Sequence, residues 1–497
     1  MQRFITRLGN FHHLWVHNNV KSIKTITLLL ALLLLTIMVV ACGDEENSTP
    51  TAALFTPSPT SIVITPAPTP SPTPDLEPVS AIDVDPAHLD GLTLDFWHVW
   101  SGEAGELMQS LVEQFNTSNE SGIHVQPVYA GNYNDLDEKF QQVAGEGDYP
   151  NLIIGFNYQI LTWEIEQPHV VDLSTYTEDP VWGFNTADRD DFYHQIWEQE
   201  QHNESRIGIP FQRSAYLMIY NASWAEELGF NSPPNNPQEF KEQVCAATRA
   251  NTANPNIRSG TGGWVTNTDP SAILSWIYAF GGNVVSSENK SYDFTTPEIE
   301  NAFTYLKDLY DDGCAWQIED QYAEGEFAER LALVNTASLV DFPYIVQAMQ
   351  YSKNDDTWIV LGFPSVDNQQ LISVYGPSLA MLRSSNEEQL ASWIFMKWLV
   401  SPEVQAQWVE KTGVFPVRAS TLEHLAAFTA ENPQWAAVAE LLPHARSEPS
   451  LPSWSIVRWA VSDVGTQTFR YYFEASRIPD MLELLDSTAA ELHARFE

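Results

Sequence analysis

The chain has 497 residues, 44% hydrophobic and 12% aromatic, enough for two or three compact units with sizeable cores. Its 24 basic and 65 acidic side chains leave a net charge of −41, which argues against nucleic-acid binding and against electrostatic docking on anionic lipid. The three cysteines form no CxxC or Cys/His cluster, and HExxH is missing, so no metal site and no cofactor are expected.

In chain order, the first segment is basic and polar: Arg3, Arg7, Lys21 and Lys24 precede Cys42, and no acid does. Residues 25–41, TITLLLALLLLTIMVVA, are almost wholly apolar yet short for a bilayer core of ~30 Å, so residues 1–41 read as a signal peptide. Val39-Val40-Ala41-Cys42-Gly43 resembles a bacterial lipobox, with Cys42 as the lipidation site; an uncleaved signal anchor is the alternative. Residues 42–90 then turn to Pro, Thr and Ser, a composition that builds no core and favours extended chain. At ~3.1 Å per residue such a tether reaches on the order of 100 Å. The expected product is an exported lipoprotein, held by its acyl chains on the outer face of the bacterial cytoplasmic membrane.

From residue 91 the pattern changes to alternating strands and helices. Residues 92–97 read as a strand, 103–115 as an amphipathic helix, 125–129 as a strand, 136–144 as a helix and 152–154 as a buried strand. Further helices are expected at 224–228, 237–249, 272–280, 297–311, 387–399 and 402–411. The Thr296-Pro297 and Ser401-Pro402 pairs are start signals. This order points to parallel α/β layers. Outside the cytoplasm a Cys245–Cys314 disulfide is permitted; two buried thiols are the alternative.

Asp95-Phe96-Trp97-His98 with Gly102-Glu103 resembles the opening of extracellular solute-binding proteins of ABC importers, nearest the maltose- and glycerol-3-phosphate-binding group. Four further segments resemble the same family in order: Ile209-Pro210-Phe211 with Tyr220-Asn221, Gly281-Gly282-Asn283, Tyr375-Gly376-Pro377, and residues 391–416. The resemblance covers about residues 91–470. It implies an α/β, two-lobed periplasmic-binding-protein-like fold (type II) over 91–497, behind a disordered leader and a Pro/Thr-rich linker. Lobe one would take about 91–211 plus 371–412, and lobe two about 212–370 plus 413–497.

A sugar presents edge hydroxyls and apolar C–H faces, so its site combines aromatic platforms with carboxylates, amides and guanidinium groups. The 17 tryptophans exceed what packing requires, but Trp393 and Trp398 sit in an apolar helix and read as core. Trp97, Gly102 and Glu103 follow the first strand, where the family's turn contacts ligand; Glu103 alternatively serves the helix dipole. Tyr158, after the strand at 152–154, is a platform candidate. Arg213 has no acidic neighbour within four residues and reads as a ligand contact or a structural ion pair. Trp264 and Trp276 are second-lobe candidates, with core packing as the alternative for Trp276. Phe342 and Tyr344 occupy the place of the family's ligand-facing Gly-Pro-Trp-like segment, from which Asp341-Phe342-Pro343-Tyr344 departs. Tyr375 and Gly376 lie in the return strand. Trp454 and Arg458, spaced i, i+4, share one helical face and match an aromatic-x-x-x-Arg pair of the maltose-binding relatives.

The expected ligand is a neutral mono- or oligosaccharide, captured by lobe closure and passed to ABC permease subunits with their ATPase; the protein is expected to be a monomer and not an enzyme. No catalytic residue is assigned, and no GxSxG, GxxxxGK[ST] or GxGxxG motif occurs. The competing readings are a cell-surface glycoside hydrolase, and a glycerol-phosphate binder, sensor or adhesin on the same fold.

Overall fold

The structure is a computed structural model and describes residues 79–147, 149–286, 290–318 and 322–496. The signal segment, Cys42 and nearly all of the tether lie outside the described residues. No helix among the described residues is long and apolar enough to cross a membrane.

Two sheets organise the body. In the first, Thr93–His98 pairs in parallel with His124–Tyr129 on one side and Leu152–Phe156 on the other. Pro377–Met381 joins antiparallel to Leu152–Phe156, and Ile209–Pro210 closes the edge. Burial along Thr93–His98 alternates at first and then becomes continuous through Phe96, Trp97 and His98, as a strand covered on both faces requires. The helix Gly102–Ser118 covers this sheet with Met108, Leu111, Val112 and Phe115, one stripe at helical spacing. The helix Tyr133–Ala144 starts earlier than its apolar periodicity suggests, because Asn132 and Asp135 cap each other's backbone N–H groups.

The second sheet is built on Ser214–Asn221. Ala332–Ser338 flanks it antiparallel on one side, while Trp358–Leu361 and Ser373–Tyr375 pair along the other. Gly262–Val265 and Ala315–Trp316 extend it in parallel, and Arg446–Ser447 adds to Ser373–Tyr375. Cys245, on the helix Pro237–Ala253, and Cys314 form a disulfide that closes this lobe's outer edge.

The chain passes between sheets where Ile209–Pro210 leads to Ser214–Asn221 and where Ser373–Tyr375 leads through Gly376 to Pro377–Met381. A Cβ on Gly376 would meet the Gln212 carbonyl oxygen at 2.2 Å, so the two crossings touch backbone to backbone. A third strand of chain joins them, because Arg213 and Phe415 exchange backbone hydrogen bonds.

Past the expected boundary at 413 the chain packs on both sheets: the helix Pro433–Ala439 lies against Trp358–Leu361 of the second. Val414, Phe415, Val417, Leu425 and Trp435 share one apolar cluster with the first sheet's residues, and Arg418 pairs with Asp188 and Asp191. The second lobe's cluster resumes at Leu451.

Candidate functional site

The helix Trp454–Thr468 carries the centre of the site. Its i, i+4 pair does share a face, but the two side chains have different tasks. Trp454 is fully buried, and its indole N–H donates to Glu448 Oε2 at 2.8 Å. Glu448 Oε1 accepts from the Ser271 hydroxyl. Arg458 then donates to the Ser271 hydroxyl at 3.3 Å and lies 3.9 Å from Glu448. Its other terminal nitrogen donates to the Tyr158 hydroxyl at 3.0 Å. Tyr158 belongs to the helix Asn157–Glu166 of the first lobe, so this bond spans the cleft.

The electrostatics follow from burial. Burial alone would lower the Arg458 pKa, but Glu448, Tyr158 and Asp269 together hold the guanidinium firmly charged. Burial pushes the Tyr158 phenol up to about 12, so it stays neutral and can both accept from Arg458 and donate elsewhere. Asp269 caps the helix Pro270–Ala279, accepting from the Ser271 N–H at 2.9 Å; burial raises its carboxyl above the usual range. Tyr216 hydrogen-bonds Asp269 and stacks on Tyr375 with ring centres 6.0 Å apart. Burial keeps the Tyr375 phenol protonated.

Beside this cluster a cavity of about 310 Å³ opens on the second lobe, at the ends of Gly262–Val265 and Ala332–Ser338 and the start of Pro270–Ala279. Tyr216, Asp269, Asn335, Asp341 and Trp459 line it. Such a site offers acceptors and aromatic faces around a mostly pre-formed hollow, the chemistry a polyhydroxylated ligand requires. No three or more His, Cys, Asp or Glu among the described residues are grouped to hold a metal.

Of the residues singled out in the sequence, Tyr158, Tyr375, Trp454 and Arg458 come together here. Trp454 acts behind the surface, orienting Glu448. Others are placed elsewhere. Trp264 and Trp276 pack edge to face at 5.5 Å in the second-lobe core, Trp264 only 1% exposed and bonded to Thr336, so neither indole offers a face to ligand. Arg213 is also enclosed. It donates to Glu200 at 2.7 Å, to Ser378 and to the Gln212 and Pro377 carbonyls, which makes it a clamp of the interlobe crossings. Gly376 is the close approach between those crossings.

The remaining candidates lie apart from this cluster. Trp97 is nearly buried under the Lys139 ammonium, 3.9 Å above its ring. Gly102 opens the first helix at φ 57°, and exposed Glu103 pairs with Lys411 at 2.6 Å, which holds its carboxyl below the usual range. Phe342 packs on Trp358, while Tyr344 on the same short helix is exposed.

Sequence reasoning missed Asp269, Ser271, Glu448, Tyr216 and Trp459. Asp269-Pro270 ahead of an apolar run was a legible helix start. Glu448 and Trp459 carried no motif that marks them, and only the packing of Ser271 and Trp454 around Glu448 brings it to the site.

Comparisons with known proteins agree with this fold. A family described as bacterial extracellular solute-binding protein matches residues 110–438. The sn-glycerol-3-phosphate-binding periplasmic protein of Salmonella typhimurium is 23% identical over 346 residues, 67% of this chain and 75% of its own length. The sugar-binding protein MalE of Xanthomonas citri superposes with a TM-score of 0.70 at 17% identity, covering 81% of this chain and 98% of that one. The cyclic alpha-maltosyl-1,6-maltose binding protein of Arthrobacter globiformis gives 0.69 at 16%, with 81% and 99% covered. UgpB of Mycobacterium tuberculosis, in complex with glycerophosphocholine, gives 0.64 at 18%, with 81% and 98% covered. At these identities the structural likenesses carry the two-lobed fold, and the family match spans most of the body. The chain belongs to the bacterial extracellular solute-binding protein family.

Proposed function

We propose that this protein captures a carbohydrate outside the cytoplasm for an ABC importer and hands it to the permease and its ATPase. Anchoring through Cys42 and work as a monomer are part of the same reading. The observation that carries it is the Tyr158–Arg458 bond, a polar contact between lobes beside a cavity rich in acceptors and aromatic rings. A ligand that bridges the lobes shifts an open–closed equilibrium by its preference for the closed form. The carbohydrate named for the Xanthomonas and Arthrobacter proteins supports the ligand class.

Glycerol phosphate is the second reading, favoured by the Salmonella relative and by Arg458. Against it, Arg458 is already held by Glu448 and Asp269, and a phosphate would meet those carboxylates at short range. A thermal-shift panel on the purified full chain in detergent separates the two. A micromolar ligand at 1 mM adds about 4 kcal/mol and moves the melting point by several degrees. A shift with sugars and none with glycerol phosphates supports the carbohydrate reading, and the reverse pattern replaces it.

A further inference from the structure

The carboxylates of the second-lobe cavity are more than a neutral sugar needs. Asp269, Glu324 and Asp341 all line it, and no Lys or Arg among the described residues does. None of the three forms a salt bridge among the described residues. Asp269 accepts from the Ser271 N–H and Asp341 from the Ser338 N–H at 2.8 Å. Burial pushes all three carboxyls up, and Asp341 and Glu326 push Glu324 further. Closing the lobes over a neutral ligand would strip water from these like charges, with only Arg458 near Asp269 and no cation beside Asp341 or Glu324 to offset them.

A second observation is independent of the acids. Asn335 lines the same cavity at 3% exposure, and its side-chain amide makes no hydrogen bond to the described protein. A buried amide left open in a cavity wall is a vacant donor and acceptor. Tyr216 and Trp459 add ring faces, and Trp459 stands 58% exposed at the rim. The carboxylates are too spread to gather on one metal ion, so the complementary cation is an organic one.

We propose that this cavity takes the protonated amine of an amino sugar, with Asp269, Asp341 and Glu324 as its counter-charges and Asn335 and Trp459 holding the sugar ring. The inference rests on the carbohydrate reading above and narrows its substrate class.

Calorimetric titration of the full chain with matched β-1,4 disaccharides tests it: the glucosamine dimer, its N-acetylated form, and cellobiose. The corresponding monosaccharides make a second set. The amine form should bind at least tenfold more tightly than both partners within a set. That preference should narrow in 0.5 M salt, a comparison that needs no variant. In the double variant Asp341→Asn, Glu324→Gln the ratio should fall to within about twofold. Neutral sugars that bind as well as the amines overturn this inference and leave the carbohydrate reading standing. Silence toward every sugar, charged or neutral, overturns both.

Discussion

Arg458 and Tyr158, 300 residues apart in sequence, meet at 3.0 Å across the cleft, and Glu448 holds the back of the same guanidinium. Each lobe thus contributes one half of a charge-assisted contact across the cleft. Hydrogen bonds to charged groups are worth about 1.5–3 kcal/mol. Tyr158→Phe should therefore weaken ligand binding about tenfold while leaving the unfolding transition of the ligand-free protein in place. Titration of wild type and variant with one ligand checks this; equal affinities would remove the bond from the closing mechanism.

The Glu200–Arg213 pair behaves differently, because both side chains are fully enclosed. Removing one partner from a buried pair leaves a charge without compensation, at a cost of about 3–5 kcal/mol. Arg213→Met should lower stability by that amount in urea titration. The double variant with Glu200→Gln should recover a large part of it. An unchanged midpoint in Arg213→Met would contradict the clamp role.

His98 gives the protein a pH dependence of known sign. It is 5% exposed, and burial lowers its pKa from 6.5 to about 4. Between those values the unfolded chain binds a proton that the native state refuses, so stability falls as pH drops from 6.5 toward 4. The span of about 2.5 units corresponds to roughly 3 kcal/mol. His98→Gln should flatten the melting-point profile over that window relative to wild type. Parallel profiles would mean that another group sets the slope.

The Cys245–Cys314 disulfide closes a loop of sequence separation 69. Chain-entropy arguments assign such a loop about 4 kcal/mol, with 2–5 typical when a native bridge is removed. Reduction, or the double variant to Ser, should lower the melting point by several degrees. Loss of the ligand-induced shift would follow only if the second lobe unfolds first, which circular dichroism of the reduced protein would reveal.

Much of the fold was legible before any coordinates. Leu111, Val112 and Phe115 announce one helix by their spacing, and Pro297 and Pro402 open two others. How the chain after 413 packs was not legible, because local patterning places residues on an element but does not say which sheet the element covers. Phe415 lies against Arg213 through backbone hydrogen bonds that no side chain advertises.

The site divides in the same way. Trp454 and Arg458 are joined by helical periodicity, which sequence spacing determines by itself. Whether an indole faces ligand or core depends on what packs above it, and only the tertiary structure decides that. Trp264 and Trp276 are enclosed by each other and by Phe240, while Trp459, one residue beyond Arg458, is left at the cavity rim. Composition determined an acidic chain, and the order of strands and helices pointed to an α/β body. The choice of Asp269 and Tyr158 as partners of one guanidinium belonged to the fold, since electrostatic partnership is set by distance in space and these groups lie well over a hundred residues from Arg458.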